Sequence, residues 1–142
     1  MAPKLGYPKT ATILARFLPG LQGMHKEGKM SSSVEKTTIF TTDNEQQVND
    51  KIMKYAFSGG KETLEQHRKE GGNPDIDVSY QYLAYFLEDS KKLEEVYDDY
   101  KSGKMLTGDL KKFTIKVLNK FLREHQAKRE KARDMVEKFM LR

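Results

Sequence analysis

The chain of 142 residues contains no cysteine and only four prolines. The absence of cysteine excludes disulfide bonds and thiolate metal sites. Long hydrophobic runs are also missing, so no segment is predicted to span a membrane. The N-terminal residues lack the pattern of a secretory signal peptide. Charged residues make up 33% of the sequence, which is typical of a helix-rich domain in water.

The charges are unevenly distributed along the chain. From Glu70 to Tyr100 there are nine acidic residues against two lysines, a net charge of −7. From Lys104 to Arg142 there are twelve lysines and arginines against five acidic residues, a net charge of +7. A basic half beside an acidic half predicts that one surface meets a polyanion and another does not.

The N-terminal part contains a short apolar run, residues 11–18, which ends at Pro19 and Gly20. This pattern predicts one buried strand. Because a lone strand cannot satisfy its own edges, we expect it to belong to a sheet whose other strands lie outside this chain.

The remainder is predicted to form about five helices. Thr42 and Glu45 have the spacing of a capping box at the start of the first helix. The others are expected at 62–69, at 78–87 after Asp77, from Ser90 to the stop at 102–103, and from Thr107 towards Met140. In the last helix the apolar residues are Leu110, Phe113, Val117 and Phe121, followed by a polar stretch, 124–131, that we expect to project or pack weakly. The predicted fold class is therefore mainly α: a helical bundle preceded by the last strand of an α/β sheet.

The segment Gly28-Lys29-Met30-Ser31-Ser32-Ser33 combines one cation with three hydroxyl groups beside a glycine. Lysine meets phosphates as a compact charge, and serine hydroxyls adapt to oxygen acceptors. Such a segment can hold a polyphosphate. A flexible polar surface loop has the same composition, and composition alone favours that interpretation.

Lys29 to Ser33 resembles the KMSKS signature of class I aminoacyl-tRNA synthetases, with Ser32 in place of the second lysine. Eukaryotic and archaeal tryptophanyl enzymes share this departure. The runs AFSGG at 56–60 and GGNPDIDVS at 71–79 also resemble eukaryotic-type tryptophanyl-tRNA synthetases, as do FLED at 86–89, MLTGDLK at 105–111 and EHQA at 124–127. The resemblance covers nearly the whole chain and is much longer than chance allows.

This resemblance implies a division into residues 1–34, the C-terminal tail of a Rossmann-type catalytic domain with its KMSKS-type loop, and residues 35–142, a helical anticodon-binding domain. It implies a cytoplasmic, homodimeric parent enzyme that activates tryptophan with ATP and Mg²⁺ and transfers it to tRNA(Trp). Lys29 is the implied catalytic residue, and the implied ATP-binding residues are Lys29, Met30, Ser31, Ser32 and Ser33. No metal site is predicted in this chain, since the spacing of its histidines suggests none.

The other class I signature, a HIGH-type motif, is not found around any of the three histidines, His25, His67 and His125. We therefore expect the chain to correspond to the C-terminal part of the enzyme and not to catalyse alone, because one loop cannot supply a complete site.

Four basic residues, Lys112, Lys116, Lys120 and Arg123, recur at helical spacing and form a predicted stripe for tRNA phosphates. An ordinary solvated helix face has the same spacing and stays open as an explanation. The aromatic residues between Tyr80 and Phe86 are predicted to be core rather than a base-stacking platform. Two rival functions remain: a non-catalytic RNA-binding module, and a purely structural helical domain.

Overall fold

The computed structural model describes residues 4, 6, 11, 13, 17–23, 30 and 34–138. The longer helices in this part of the chain are Glu45–Tyr55 (α1), Leu64–Glu70 (α2), Val78–Phe86 (α3), Ser90–Lys101 (α4) and Thr107–Arg133 (α5), with short 3₁₀ turns at Glu35–Thr37 and Val136–Lys138. The mainly helical fold is thus confirmed. The predicted strand at 11–18 falls mostly outside the described residues.

The start of α1 differs from the sequence prediction. The capping box is formed by Asn44 and Gln47, each of which accepts the other's backbone N–H at 2.8 Å, and not by Thr42 and Glu45. The shift arises because the Asp43 carboxylate accepts the backbone N–H of Phe40 at 2.9 Å. That bond closes a turn over residues 40–43, so the helix cannot begin before Asn44.

Two further helix starts are also corrected. Asp89, rather than Ser90, caps α4 by accepting the N–H of Lys92 at 3.0 Å. Thr107 does not cap α5, because its hydroxyl lies 3.1 Å from the hydroxyl of Tyr100 and is used there. Asp77 caps α3 as predicted, accepting from Ser79 and Tyr80.

The last helix ends at Arg133, short of Met140. Residues 127–136 are all exposed, so no apolar contact holds this end to the bundle. The prediction that the polar stretch projects from the domain is therefore confirmed for these residues.

The core forms around α5, which packs against α1 and α3. The buried face of α5 differs from the predicted one. Leu110 is buried as expected, but Phe121 is 43% exposed. The other buried side chains of α5 are Thr114, Ile115, Leu118 and Leu122. The three apolar residues of this set meet Val48 and Ile52 of α1 and Tyr82 of α3 in one cluster, while Leu83, Val96, Tyr100 and Leu110 form a second.

Residues 17–23 run along the helical core. Leu21 is buried in the first cluster, its N–H donates to Thr37 O at 3.1 Å, and its carbonyl accepts from Phe57 N at 2.7 Å. The Tyr82 hydroxyl donates to Pro19 O at 2.9 Å. The segment before the predicted phosphate loop is therefore fixed to the helical part of the chain.

Two glycines close the junction between the ends of α2 and α4. Gly71 and Gly103 adopt positive φ angles of 73° and 78°. A Cβ at Gly71 would lie 1.8 Å from Lys101 O, and one at Gly103 would lie 2.3 Å from His67 O. Only glycine satisfies both the backbone conformation and the close approach.

Asp77 joins three parts of the fold through one buried carboxylate. Its side chain is fully buried. One oxygen caps α3, and the other accepts the N–H of Gly59 and the hydroxyl of Tyr100, each at 2.8 Å. The loop after α1, the start of α3 and the end of α4 are thus held by one side chain. Burial and the Asp77 carboxylate both raise the pKa of the Tyr100 hydroxyl, which keeps it protonated and able to donate.

We expect Asp77→Ala to lower the free energy of unfolding by about 4 kcal/mol, because it removes a helix cap, leaves the buried N–H of Gly59 unpaired and leaves the Tyr100 hydroxyl with Thr107 as its remaining partner. Asp89→Ala is the matched control: it also removes an N-cap, but an exposed one, and we expect a loss of about 1 kcal/mol. Urea unfolding followed by circular dichroism measures both. Equal losses would contradict the central role of Asp77.

Candidate nucleic-acid interface

The predicted basic stripe lies on the outer face of α5. Lys112, Lys116, Lys120 and Arg123 are all exposed, while the opposite face of the helix is buried in the core. In the described part of the chain, none of the three lysines takes part in an ion pair. The structure therefore brings the four residues together on one open surface.

Arg123 has a partner that it can leave. Its guanidinium contacts the Glu45 carboxylate at the start of α1, and the two side chains are 72% and 63% exposed. Exposed pairs of this kind contribute little net free energy because water and salt screen them. Replacing the Glu45 carboxylate by an RNA phosphate as the partner of Arg123 therefore costs little free energy.

The basic surface continues beyond the residues that the sequence analysis singled out. Lys128, Arg129 and Lys131 are exposed on the projecting end of α5. The net charge of +7 from Lys104 to Arg142 predicts a basic surface over this part of the chain, but it does not identify these three residues as part of that surface. Lys111 is different: it is half-buried, it donates to Met53 O at 3.3 Å, and burial lowers its pKa.

An aromatic platform lies beside the stripe and consists of Phe86, Phe121 and His125. The ring centroids of Phe86 and Phe121 are 5.0 Å apart. Phe121 and His125 stack with an interplanar angle of 17° and a centroid distance of 6.3 Å. The prediction that Phe86 belongs to the core is confirmed in part, because Phe86 is half-buried and packs against the first core cluster. No role in RNA binding was predicted for His125. The spacing of four residues between Phe121 and His125 predicts that the two rings are neighbours on α5. Their exposure cannot be predicted in the same way, because it depends on which face of the helix is buried.

The other aromatic residues of α3 divide between core and surface. Tyr82 is buried, and burial raises the pKa of its hydroxyl. Tyr80 is half-buried and packs edge-on against Tyr97 at 5.4 Å. Tyr85 is exposed and donates to Phe17 O at 2.8 Å. The core prediction is thus correct for Tyr82 and wrong for Tyr85.

Phe86 and Phe121 of the platform line a groove of about 370 Å³, here called the α3–α5 groove. Its lining residues are Phe86, Leu87, Glu88, Asp89, Val117, Lys120, Phe121 and Glu124. Apolar rings in the wall and charged groups at the edge suit an unpaired nucleobase, which stacks on one face and makes hydrogen bonds along its edge. A carboxylate accepts from an exocyclic amino group, and a lysine donates to a ring nitrogen or carbonyl.

The predicted phosphate loop is described only at Met30. Lys29, Ser31, Ser32 and Ser33 lie outside the described residues, so their binding to ATP stays a prediction. Met30 is half-buried and packs against the first core cluster. Within the described ranges there is no group of three or more histidine, aspartate or glutamate side chains suited to a metal ion. No helix in those ranges is long and apolar enough to cross a membrane.

Comparisons with known proteins agree with this architecture. The family model for class I tRNA synthetases (W and Y) matches residues 1–123. The tryptophan–tRNA ligase of Sulfolobus acidocaldarius is 54% identical over 140 residues, which cover 98% of this chain and 36% of that protein. The cytoplasmic tryptophan–tRNA ligase of Oryctolagus cuniculus is 51% identical over 141 residues, covering 99% and 29%. The solved tryptophanyl-tRNA synthetase from Giardia lamblia superposes with a TM-score of 0.82 at 45% identity, over 92% of this chain and 32% of that one.

The helical fold and these matches define a portion of a class I tRNA synthetase. The chain belongs to the tryptophan and tyrosine family of these synthetases, and its relatives at about half identity are tryptophan–tRNA ligases. The resemblance inferred from the sequence is thereby confirmed. The chain spans about a third of the length of the curated relatives that it matches.

Proposed function

We propose that the chain is the C-terminal part of a tryptophan–tRNA ligase and that its helical part binds the anticodon arm of tRNA(Trp). The observation that carries the proposal is the aromatic platform next to the basic stripe on α5, in which Phe121 and His125 are exposed and Phe86 is half-buried beneath Phe121. Identity of about 50% with ligases over nearly the whole chain supports the same assignment.

The two surfaces have different tasks. Lys112, Lys116 and Arg123 neutralise backbone phosphates, which fixes the position of the RNA without reading its sequence. The α3–α5 groove receives an unpaired base: Phe121 stacks on its face and Glu88 or Glu124 accepts from its amino group. Lys120 belongs to both surfaces, since it lies in the stripe and lines the groove.

The N-terminal part, residues 1–34, supplies the phosphate loop of the parent enzyme. Lys29 stabilises the charge that moves through the ATP phosphates during amino-acid activation, and Met30 anchors the loop while Ser31, Ser32 and Ser33 donate hydroxyl hydrogen bonds. Mg²⁺ accompanies the ATP phosphates. Tryptophan is bound by residues outside this chain, and the parent enzyme is a cytoplasmic homodimer. The boundary between residues 1–34 and 35–142 is part of this proposal.

A non-catalytic RNA-binding module is the second candidate. The same exposed platform and stripe support it, because RNA binding needs neither ATP nor tryptophan. ATP-dependent tryptophan activation in the intact protein separates the two candidates.

We expect the triple substitution of Lys112, Lys116 and Lys120 by glutamate to weaken tRNA binding by at least about a hundredfold at low salt. The slope of the logarithm of the binding constant against the logarithm of salt concentration should fall by an amount that corresponds to about two to three phosphate contacts. Fluorescence anisotropy over a salt series measures both quantities. The matched control replaces Lys54, Lys69 and Lys91, which are exposed elsewhere and give the same change in net charge. A similar loss in the control would show only a nonspecific charge effect.

We expect Phe121→Ala to weaken binding of an anticodon stem-loop by roughly tenfold or more, because it removes one stacking surface. Phe121→Tyr retains the ring and should bind like the unaltered protein. Tyr55→Ala removes an equally accessible aromatic side chain on α1 and is the control. An unchanged dissociation constant for Phe121→Ala would exclude the α3–α5 groove as the base site.

We expect Lys29→Ala in the intact enzyme to slow tryptophan-dependent pyrophosphate exchange by about a hundredfold, with tRNA affinity unchanged. Lys36→Ala removes an exposed lysine seven positions along the chain and should leave the exchange rate unaltered. The 142-residue chain alone should show no exchange. Absence of exchange in the intact protein would favour the RNA-binding module.

A further inference from the structure

The turn at residues 40–43 is held from the side of α5 by Gln126. The Gln126 side-chain amide donates to Thr41 O at 2.9 Å and to Asp43 O at 3.0 Å. Gln126 is half-buried, whereas every other residue from Arg123 to Val136 is exposed. It is therefore the side chain through which the outer end of α5 contacts the rest of the described chain, apart from the exposed Arg123 pair with Glu45.

The same turn is held from the other side by Lys51 of α1. Its ammonium group lies 2.7 Å from the Asp43 carboxylate and donates to Thr38 O at 2.9 Å. It also lies over the Phe40 ring, 4.8 Å from the centroid. The Lys51 and Asp43 side chains are only 11% and 6% exposed. A buried, hydrogen-bonded ion pair fixes one geometry, because separating the two groups leaves charges in the interior without an opposite charge beside them.

The backbone between this turn and the predicted phosphate loop is also fixed. Thr37 O accepts from the N–H of Leu21, which precedes the loop. Met30, inside the loop, packs on the first core cluster. The backbone that follows the loop is therefore bonded to the segment that precedes it, and the turn at 40–43 continues that backbone.

We propose that Gln126 is a positioning residue that couples RNA bound on α5 to the backbone leaving the predicted phosphate loop. The inference rests on the proposed function. His125 of the aromatic platform is the neighbour of Gln126, and Arg123 of the stripe lies one helical turn before it. RNA bound to these residues orders this end of α5 and strengthens the two hydrogen bonds from Gln126 to the turn. By thermodynamic reciprocity, ordering of the turn also favours RNA binding.

A purely structural role for Gln126 makes a different prediction. It would stabilise the turn equally with and without RNA, so the decisive quantity is the change in protection when RNA binds. Hydrogen–deuterium exchange read by mass spectrometry on the intact protein measures it in a peptide spanning residues 38–43. The Phe40 N–H, bonded to the Asp43 carboxylate, and the Asp43 N–H, bonded to Phe40 O, are the reporting amides.

The variants are Gln126→Glu, which replaces the donor by a negative charge, and Gln126→Met, which removes the donor without adding charge. The matched control is Gln81→Glu, because Gln81 also donates its amide to a backbone carbonyl, Asp75 O at 2.7 Å, but on another surface. Far-UV circular dichroism and thermal unfolding verify that each variant is folded.

In the unaltered protein we expect tRNA to slow exchange of this peptide several-fold. Both Gln126 variants should exchange about tenfold faster without tRNA, since two hydrogen bonds are lost. They should show no slowing on tRNA binding, measured at saturating tRNA so that a change in affinity does not affect the comparison. Gln81→Glu should behave like the unaltered protein.

Retention of tRNA-dependent slowing in both Gln126 variants would overturn the inference, as would its loss in the Gln81 control. Tight tRNA binding without any slowing in the unaltered protein would overturn the inference and leave the proposed function standing. Failure of the unaltered protein to bind tRNA would overturn both.

Discussion

One buried carboxylate organises the arrangement of the helices. Asp77 accepts hydrogen bonds from the start of α3, from the loop after α1 and from the last turn of α4. Because water does not reach the Asp77 carboxylate, its hydrogen bonds must come from these protein donors, and the donors have no water to replace Asp77. Asp77 fixes the start of α3, and α3 packs directly against α5, with the α3–α5 groove at the other end of α3. The helix whose end lines the candidate base site is thus held at its start by the buried Asp77 carboxylate.

The sequence was sufficient for the elements whose signals are local. All five helices were predictable from apolar spacing, glycine stops and capping residues, and Asp77 was identified correctly as the cap of α3. The start of α1 was not, because Thr42 and Glu45 form a good capping pair in isolation while the Asp43 carboxylate uses the preceding backbone for a turn. The buried ion pair between Asp43 and Lys51 stabilises this turn, and a short window of sequence around the helix start does not contain that contact.

The candidate site was predictable in its charge and not in its shape. Lys112, Lys116 and Lys120 repeat at helical spacing, so their common face could be found without a structure. The orientation of Phe121 could not, because α5 carries apolar residues around more than half of its circumference. Packing selected Ile115, Leu118 and Leu122 for the interior and left the Phe121 ring at the surface. An exposed aromatic side chain on such a helix can therefore be identified only when the helices that pack against it are known.

The separation of the two faces of α5 has a consequence for the divergence of such domains. The buried side chains of α5 lie on one face and the basic stripe lies on the opposite one, whereas Phe121 packs on Phe86, which itself contacts the first core cluster. Substitutions in the basic stripe therefore leave the interior packing unchanged, so a lineage can alter how tightly it binds nucleic acid without first acquiring compensating changes in stability. The affinity of the stripe for nucleic acid and the stability of the domain can therefore change nearly independently of each other.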